Sequence, residues 1–185
     1  IGLIFLLNKG LQDFNLLRFL SFLIYGISLS TMYIASTLYH NSKTPEGRYK
    51  FRLFDMISIY LLIAGSYTPF TLTVLINSGG LTLFLLVWVI AIIGIIWKIF
   101  TVGNYNISST LLYIFMGGLW LFFIDAFINE IPQNALMWIY ASASTYLIGV
   151  FFYLADSKIK YNHFIWHIFV ILASAFHYIS IYFYI

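Results

Sequence analysis

The sequence contains no cysteine and very few charged residues. The absence of Cys among 185 residues excludes disulfide bonds, thiolate metal ligands and a cysteine nucleophile. Charged residues make up 8% of the chain, whereas a soluble domain carries about 25%. Hydrophobic residues make up 62% and the mean hydropathy is +0.95, so the apolar excess must face lipid. The chain is therefore predicted to be an integral membrane protein in which His, Asp or Glu must bind any metal.

Short polar breaks divide the chain into long apolar segments. A helix needs about 20 residues to cross a bilayer. Six segments approach or exceed that length, namely 16–40, 54–76, 81–98, 107–125, 133–154 and 163–185. Turn residues mark the breaks at 77–80, 103–104 and 129–132. The segments lack period-two alternation and are too long for barrel strands, so they predict membrane-spanning helices.

The chain begins with a short apolar run, residues 1–7. This run cannot cross a membrane and lacks the basic start and cleavage site of a signal peptide. It is interpreted as the end of a first transmembrane helix whose beginning is missing. The predicted fold is thus an all-α integral membrane protein. It forms a seven-transmembrane helical bundle with its first helix truncated, and a single domain covers residues 1–185.

Basic residues are distributed unevenly between the two sets of loops that alternating helices produce. One set holds only Lys9 and Arg18, whereas the other holds Lys43, Arg48, Lys50, Arg52, Lys98, Lys158 and Lys160. Because basic loops remain in the cytoplasm, the amino end is predicted to be cytoplasmic and the carboxyl end extracytoplasmic. Since the basic residues act as topology signals, the net charge of +3 does not indicate a nucleic-acid partner.

Three histidines and one carboxylate converge on the cytoplasmic face of this predicted bundle. His40 ends the second helix, Asp55 begins the third, and His163 and His167 begin the last. Because residues four apart lie on one helix face, both histidines of the last helix can ligate one ion. Three imidazoles and a water complete a tetrahedral zinc site with one open position. Asp55 is then the carboxylate placed to hydrogen-bond that water.

Each of these residues also has a structural interpretation. A histidine at a helix end can be an interfacial anchor, and Asp55 can be a solvated loop residue that pairs with Arg52. Ser36 lies one turn before His40, about 6 Å along the helix axis, where it can face the site or hydrogen-bond its own helix. Phe164 stands where a zinc protease would carry the Glu of H-E-x-x-H. A general base must therefore come from elsewhere, which leaves Asp55.

Three motifs resemble the haemolysin III family, the bacterial branch of the progestin and adiponectin receptor superfamily. They are STLYH at 36–40, DMISIYLLIAGSYTPF at 55–70 and HFIWHIFVILASAFHY at 163–178. The resemblance covers essentially the whole chain, with the spacing of loops and helices intact. It implies a seven-helix bundle in the bacterial cell membrane with a cytoplasmic amino end.

The resemblance also implies a site. A zinc ion would be held by residues matching His40, His163 and His167, with a water bridging to Asp55. The superfamily includes alkaline ceramidases, so the fold looks similar to an intramembrane metal-dependent amide hydrolase. On this basis the chain is predicted to be a zinc-dependent hydrolase of lipid amides or esters.

In that interpretation Asp55 is the general base and Ser36 donates a hydrogen bond to the developing oxyanion. The partner is a membrane lipid, either as substrate or as ligand. Two alternatives stay open: a non-catalytic lipid sensor or receptor with structural zinc, and a membrane-lytic haemolysin. The substrate and the oligomeric state are likewise left open, as is enzymatic activity itself.

Overall fold

The computed structural model describes residues 1–12, 15–101, 106–154 and 161–185, and they contain helices but no strand. The α-helices are α1 (Gly2–Gln12), α2 (Leu16–Asn41), α3 (Pro45–Pro69), α4 (Leu81–Phe100), α5 (Asn106–Gly117), α6 (Ile124–Glu130), α7 (Gln133–Leu154) and α8 (Asn162–Tyr184). A 3₁₀ segment, Leu119–Phe123, lies between α5 and α6. The all-helical class predicted from the sequence is confirmed.

Six helical segments are long and apolar enough to cross a membrane. They are Leu16–Asn41, Pro45–Val74, Ile76–Phe100, Ile107–Glu130, Gln133–Leu154 and Asn162–Tyr184. Each coincides with one of the six apolar runs, and α1 precedes them as a seventh, shorter helix. The multi-pass membrane architecture follows from this agreement.

The start of α3 differs from its prediction. The sequence analysis began this helix at residue 54 and treated the preceding polar residues as a loop, whereas α3 begins at Pro45. Thr44 caps the helix by accepting a 3.2 Å hydrogen bond from the Gly47 amide, and proline suits the first helical turn, where its missing N–H is not needed. Hydropathy detects only the apolar part of a helix, so the polar turns of α3 were missed.

Two other predictions concern the chain breaks. Gly79 has φ of +88°, a conformation that glycine adopts without strain, which confirms the turn at 77–80. α6 ends at Glu130 and α7 begins at Gln133, as the break at 129–132 predicts. The break at 103–104 lies outside the described residues.

Pro69 ends α3, and the chain continues as a π-helical segment, Phe70–Val74. In the following segment, Ile76–Gly80, the backbone leaves helical geometry at Ser78 and Gly79. A π turn arises where an irregularity interrupts the regular backbone ladder. Here proline lacks the N–H that the ladder needs. The interruption at Pro69 therefore takes the form of a widened helical turn.

The described part of Ile1–Phe123 forms one compact unit, in which α3 packs against α2, α4 and α5. The fully buried Tyr60 ring lies edge-on to Tyr113, with ring centroids 4.5 Å apart. The Tyr113 hydroxyl donates to the Met56 carbonyl at 2.9 Å, and the Tyr67 hydroxyl donates to the Gly117 carbonyl at 2.8 Å. Tyrosines of α3 and α5 thus tie these helices together along the carboxyl-terminal half of α5.

Gly65 allows α2 and α3 to approach closely. A Cβ atom on Gly65 would lie 2.5 Å from Ser28 Oγ and 2.7 Å from Ser28 Cβ. Membrane helices commonly use small residues at such contacts, because lipid offers no hydrophobic force to hold helices together. Gly65 thus lets the two helix backbones pack closely at this point.

Gly65→Ala is therefore expected to destabilise the protein by about 1–3 kcal/mol, the usual cost of overpacking, and to lower its melting temperature in detergent. Gly117→Ala is the matched control, because a Cβ there meets no atom within 4 Å. A second change, Ser28→Gly, should restore the melting temperature of the Gly65→Ala protein. Equal melting temperatures for Gly65→Ala and wild type would contradict the close-packing argument.

The residues from Ile124 to Ile185 form a second compact unit, built mainly from the antiparallel pair α7 and α8. Ser142 Oγ donates to the Ala173 carbonyl at 2.8 Å, and Ser180 Oγ donates to the Ala135 carbonyl at 2.9 Å. A Cβ on Gly149 would lie 2.8 Å from the Phe169 Cβ atom. Small residues and buried hydroxyls thus hold α8 firmly against α7. The single-domain assignment for the whole chain stays a prediction.

Several basic residues that the topology prediction assigned to loops lie in helices. Arg48, Lys50 and Arg52 belong to the polar first turns of α3. Lys98 was counted among the loop residues, but it lies inside α4 and is fully buried. Hydropathy placed the helix end at this residue because a charge interrupts the apolar run there. Lys158 and Lys160 lie outside the described residues.

Candidate metal site

His163 and His167 form a pair in the first two turns of α8. Their Nε2 atoms lie 3.1 Å apart, and their ring centroids are separated by 4.7 Å with the planes at 81°. Both side chains are half-buried. Two nitrogens bound to one tetrahedral zinc ion lie about 3.3 Å apart, given the usual Zn–N bond length. The pair therefore has the spacing that two ligands of one ion require.

His40 lies at the carboxyl end of α2, where its side chain is exposed. Neighbouring groups fix the position of this helix end. The Tyr39 ring lies 4.9 Å from the His40 ring, measured between centroids, and the Arg48 guanidinium of α3 lies 5.8 Å from the Tyr39 centroid. The Ser42 amide also donates to the Tyr39 carbonyl at 3.3 Å. His40 is thus presented from an ordered helix end.

One ring nitrogen from each of His40, His163 and His167 lies within 4.8 Å of the others. Neutral imidazole is the commonest metal ligand in proteins, and it suits first-row transition ions such as zinc, iron, copper and nickel. The described residues therefore contain a three-histidine cluster that could hold a metal ion. These are the three histidines that the sequence analysis selected as candidate metal ligands.

Asp55 and Ser36 form a second polar group within the first unit. The Ser36 hydroxyl of α2 makes a side-chain hydrogen bond with the Asp55 carboxylate of α3. Asp55 is half-buried and lies ten residues inside α3. This position differs from the alternative interpretation of Asp55 as a solvated loop residue. The Ser58 hydroxyl also donates to the Asp55 carbonyl oxygen at 2.6 Å, so both the side chain and the backbone of Asp55 are hydrogen-bonded.

The Ser36–Asp55 hydrogen bond lies close to the first histidine. Ser36 precedes His40 by four residues on α2, so the two share one helix face, one turn apart. The bond itself was not predicted, because the register between α2 and α3 depends on tertiary packing. The pair combines an ionisable carboxylate with a hydroxyl, two groups that can take part in proton transfer.

Comparison with known proteins gives consistent matches. The family described as "Haemolysin-III related" matches residues 1–178. The chain is 39% identical over 165 residues to Hemolysin-3 of Bacillus cereus, which covers 89% of this chain and 75% of that protein. It is 35% identical over 164 residues to the Hemolysin-3 homolog of Bacillus subtilis (strain 168), which covers 89% of this chain and 76% of that protein.

A more distant relative is found in animals. Human monocyte to macrophage differentiation factor is 28% identical over 169 residues, which covers 88% of this chain and 69% of that protein. No solved structure matches the chain. The family match covers nearly the whole sequence, including both of the histidine-bearing helices. The chain belongs to the haemolysin-III related family.

Proposed function

We propose that the protein is a zinc-dependent hydrolase that cleaves lipid amides or esters from within the bacterial cell membrane. The observation that carries this proposal is the three-histidine cluster. The Asp55 carboxylate of α3 is hydrogen-bonded to Ser36, which lies one helical turn before His40 on α2. Ionisable groups inside membrane-spanning segments are costly and commonly mark a functional site.

His40, His163 and His167 are the proposed zinc ligands. Three protein nitrogens leave one position of a tetrahedral ion open, which is the arrangement of catalytic rather than closed structural zinc sites. When bound, zinc would lower the pKa of water and polarise a carbonyl group. The absence of cysteine removes the thiolate ligands that many structural zinc sites use.

Asp55 is the proposed general base. Its carboxylate can accept a proton from the attacking water and return that proton to the leaving amine or alcohol. The Ser36 hydroxyl donates its one proton to this carboxylate and so orients it. A hydroxyl cannot donate to two acceptors at once. Ser36 would therefore stabilise a developing oxyanion only after Asp55 becomes protonated and accepts the hydrogen bond less strongly.

The substrate is proposed to be a membrane lipid. His40 lies at the end of its span, and Asp55 lies at the start of the apolar part of α3, after the polar first turns of that helix. Groups at this depth lie close to the bonds that join lipid chains to their headgroups. The direct test is to incubate zinc-loaded protein with a panel of lipid amides and esters and to follow the products by mass spectrometry.

A second candidate is membrane lysis, which the name of the Bacillus cereus relative favours. The two functions differ in what they release from lipid vesicles. A hydrolase releases product continuously from intact vesicles, whereas a lytic protein releases trapped dye without changing any lipid. Dye release without lipid products would favour lysis, and lipid products without dye release would favour the hydrolase.

We also propose that the amino end is cytoplasmic, because seven of the nine basic residues lie at or beside one set of breaks between the apolar segments. Single cysteines at Ser42 and Ser78 in this cysteine-free chain test the orientation with an impermeant thiol reagent. We expect Ser78→Cys to react in intact cells and Ser42→Cys to react only after permeabilisation. The opposite pattern would reverse the topology. A third such position, Ser157, lies outside the described residues.

A further inference from the structure

Arg48 of α3 carries a positive charge beside the first histidine of the metal cluster. Its guanidinium carbon lies 5.8 Å from the centre of the Tyr39 ring, and that ring lies 4.9 Å from the His40 ring, measured between centroids. A guanidinium is attracted to the face of an aromatic ring, so Tyr39 helps to hold the charge in place. The three side chains thus follow one another across the junction of α2 and α3.

The backbone around Arg48 is fixed by the turn that joins α2 to α3. The Arg48 amide donates to the Thr44 carbonyl at 2.9 Å, and the Gly47 amide donates to the Thr44 hydroxyl oxygen at 3.2 Å. A Cβ atom on Gly47 would lie 2.7 Å from Ser42 Oγ, so the turn packs closely against the start of α3. Arg48 therefore extends from an ordered helical turn.

The Arg48 side chain is accessible to a ligand. It is exposed, and among the described residues it forms no ion pair with a carboxylate. Glu46, the acidic residue of the same turn, lies two positions earlier and so points to a different side of the helix. A guanidinium carries five N–H donors in a planar fork, which matches the oxygens of a phosphate. Arg48 can therefore bind an anionic group.

Arg48 and the proposed general base lie on one side of α3. Asp55 follows Arg48 by seven residues, which is two helical turns or about 10 Å along the axis. Arg48 lies in the polar first turn, whereas Asp55 lies at the start of the apolar part. The headgroup of a lipid lies on the polar side of its ester or amide bond. A lipid with that bond beside Asp55 would therefore extend its headgroup towards Arg48.

The local charge favours an anionic headgroup over a neutral one. Residues 43–52 contain four basic residues and one acidic residue, and they lead directly into a membrane span. Basic segments next to a span attract anionic lipids, with a gain of about fivefold in affinity for each charge near the surface. In such lipids the phosphate lies only a few bonds from the ester or amide, so one molecule can contact both Arg48 and the metal cluster.

We propose, building on the hydrolase proposed above, that Arg48 binds a phosphate in the headgroup of the lipid substrate. The substrate class is then a lipid amide or ester whose headgroup carries a phosphate. Arg48 takes no part in breaking the bond. It binds the headgroup and so determines which lipids the site prefers, while Tyr39 holds the guanidinium next to His40.

The test offers the zinc-loaded full chain, in detergent, two pairs of lipids that differ by one phosphate. The pairs are ceramide 1-phosphate with ceramide, and phosphatidic acid with diacylglycerol. Mass spectrometry follows the released fatty acid, and the ratio of kcat/KM within a pair gives the phosphate preference. We expect wild type to prefer the phosphorylated lipid, and Arg48→Gln to reduce that preference at least about fivefold, mainly through KM. Arg48→Lys should retain part of the preference, because it keeps the charge without the planar fork.

Lys50→Gln is the matched control. It removes one positive charge from an exposed side chain two residues further along α3, on another side of the helix, so its phosphate preference should equal that of wild type. An equal loss of preference in Lys50→Gln and Arg48→Gln would indicate a general effect of surface charge and would overturn the assignment to Arg48. Equal kcat/KM values of wild type for both lipids of each pair would overturn it as well.

Binding can be measured without turnover, which separates headgroup recognition from hydrolysis. Native mass spectrometry of wild type and Arg48→Gln with the same lipid pairs reports the preference directly. A preference for phosphorylated lipids that is lost in Arg48→Gln, without hydrolysis of any lipid, would support the headgroup site and overturn the hydrolase. Hydrolysis without any phosphate preference would do the reverse. Inorganic phosphate that competes as strongly as ceramide 1-phosphate would also overturn the headgroup site, because the ligand would then be a free ion.

Discussion

Replacing both His163 and His167 by alanine is expected to abolish zinc binding. Elemental analysis of the wild-type protein should find about one zinc ion per chain, because the three histidine nitrogens together form one zinc site. The double variant keeps only His40. The loss of a residue that only hydrogen-bonds to a metal ligand already weakens metal affinity by about 10–100-fold. The loss of two direct ligands should therefore leave no zinc after purification.

The controls separate lost ligands from lost structure. His177→Ala removes an imidazole from the same helix, ten residues beyond His167, so this variant should keep its zinc. The hydrogen bonds of Ser142 and Ser180 that hold α8 against α7 are untouched by the double change, so the variant should remain helical by circular dichroism. His40→Ala should also lose most of its zinc. Stoichiometric zinc in the folded double variant would contradict the ligand assignment.

The sequence predicted the membrane spans well because lipid imposes a simple rule. Every backbone group in the hydrocarbon must be satisfied within its own helix, and each helix needs about 20 apolar residues. That rule does not govern polar turns outside the hydrocarbon. The start of α3 at Pro45 depends on Thr44, which accepts a hydrogen bond from the Gly47 amide. A cap of this kind is indicated by the identity of single residues, and a hydropathy average does not detect it.

The same distinction applies to the candidate site, where contacts within one helix could be predicted and contacts between helices could not. The pairing of His163 with His167 follows from spacing within one helix, so it was available from the sequence. The Ser36–Asp55 hydrogen bond and the contact of Lys98 with Ser109 each join two helices. Their formation depends on the rotation and depth of one helix against another, which close contacts such as Gly65 against Ser28 determine. No local pattern encodes those contacts.

Asp55→Asn is expected to keep the zinc and lose the activity. The amide has nearly the volume of the carboxylate, and its oxygen can still accept the hydrogen bond from Ser36. It accepts a proton poorly, however, so the contribution of a general base should disappear. A general base contributes about 10²–10⁴-fold to the rate. The rate is measured by mass spectrometry as product released from a ceramide or another lipid amide. Zinc content is measured on the same sample.

The matched control is Glu46→Gln, which makes the same chemical change at an exposed carboxylate in the first turn of α3. It should hydrolyse lipid at the wild-type rate. Ser36→Ala should reduce the rate less than Asp55→Asn, because the carboxylate remains and only its orientation is lost. Undiminished hydrolysis by Asp55→Asn would contradict its role as a base. If zinc-loaded wild type cleaves no lipid and Asp55→Asn changes only the melting temperature, the metal instead joins helices in a lipid sensor, because a structural zinc site needs no proton acceptor.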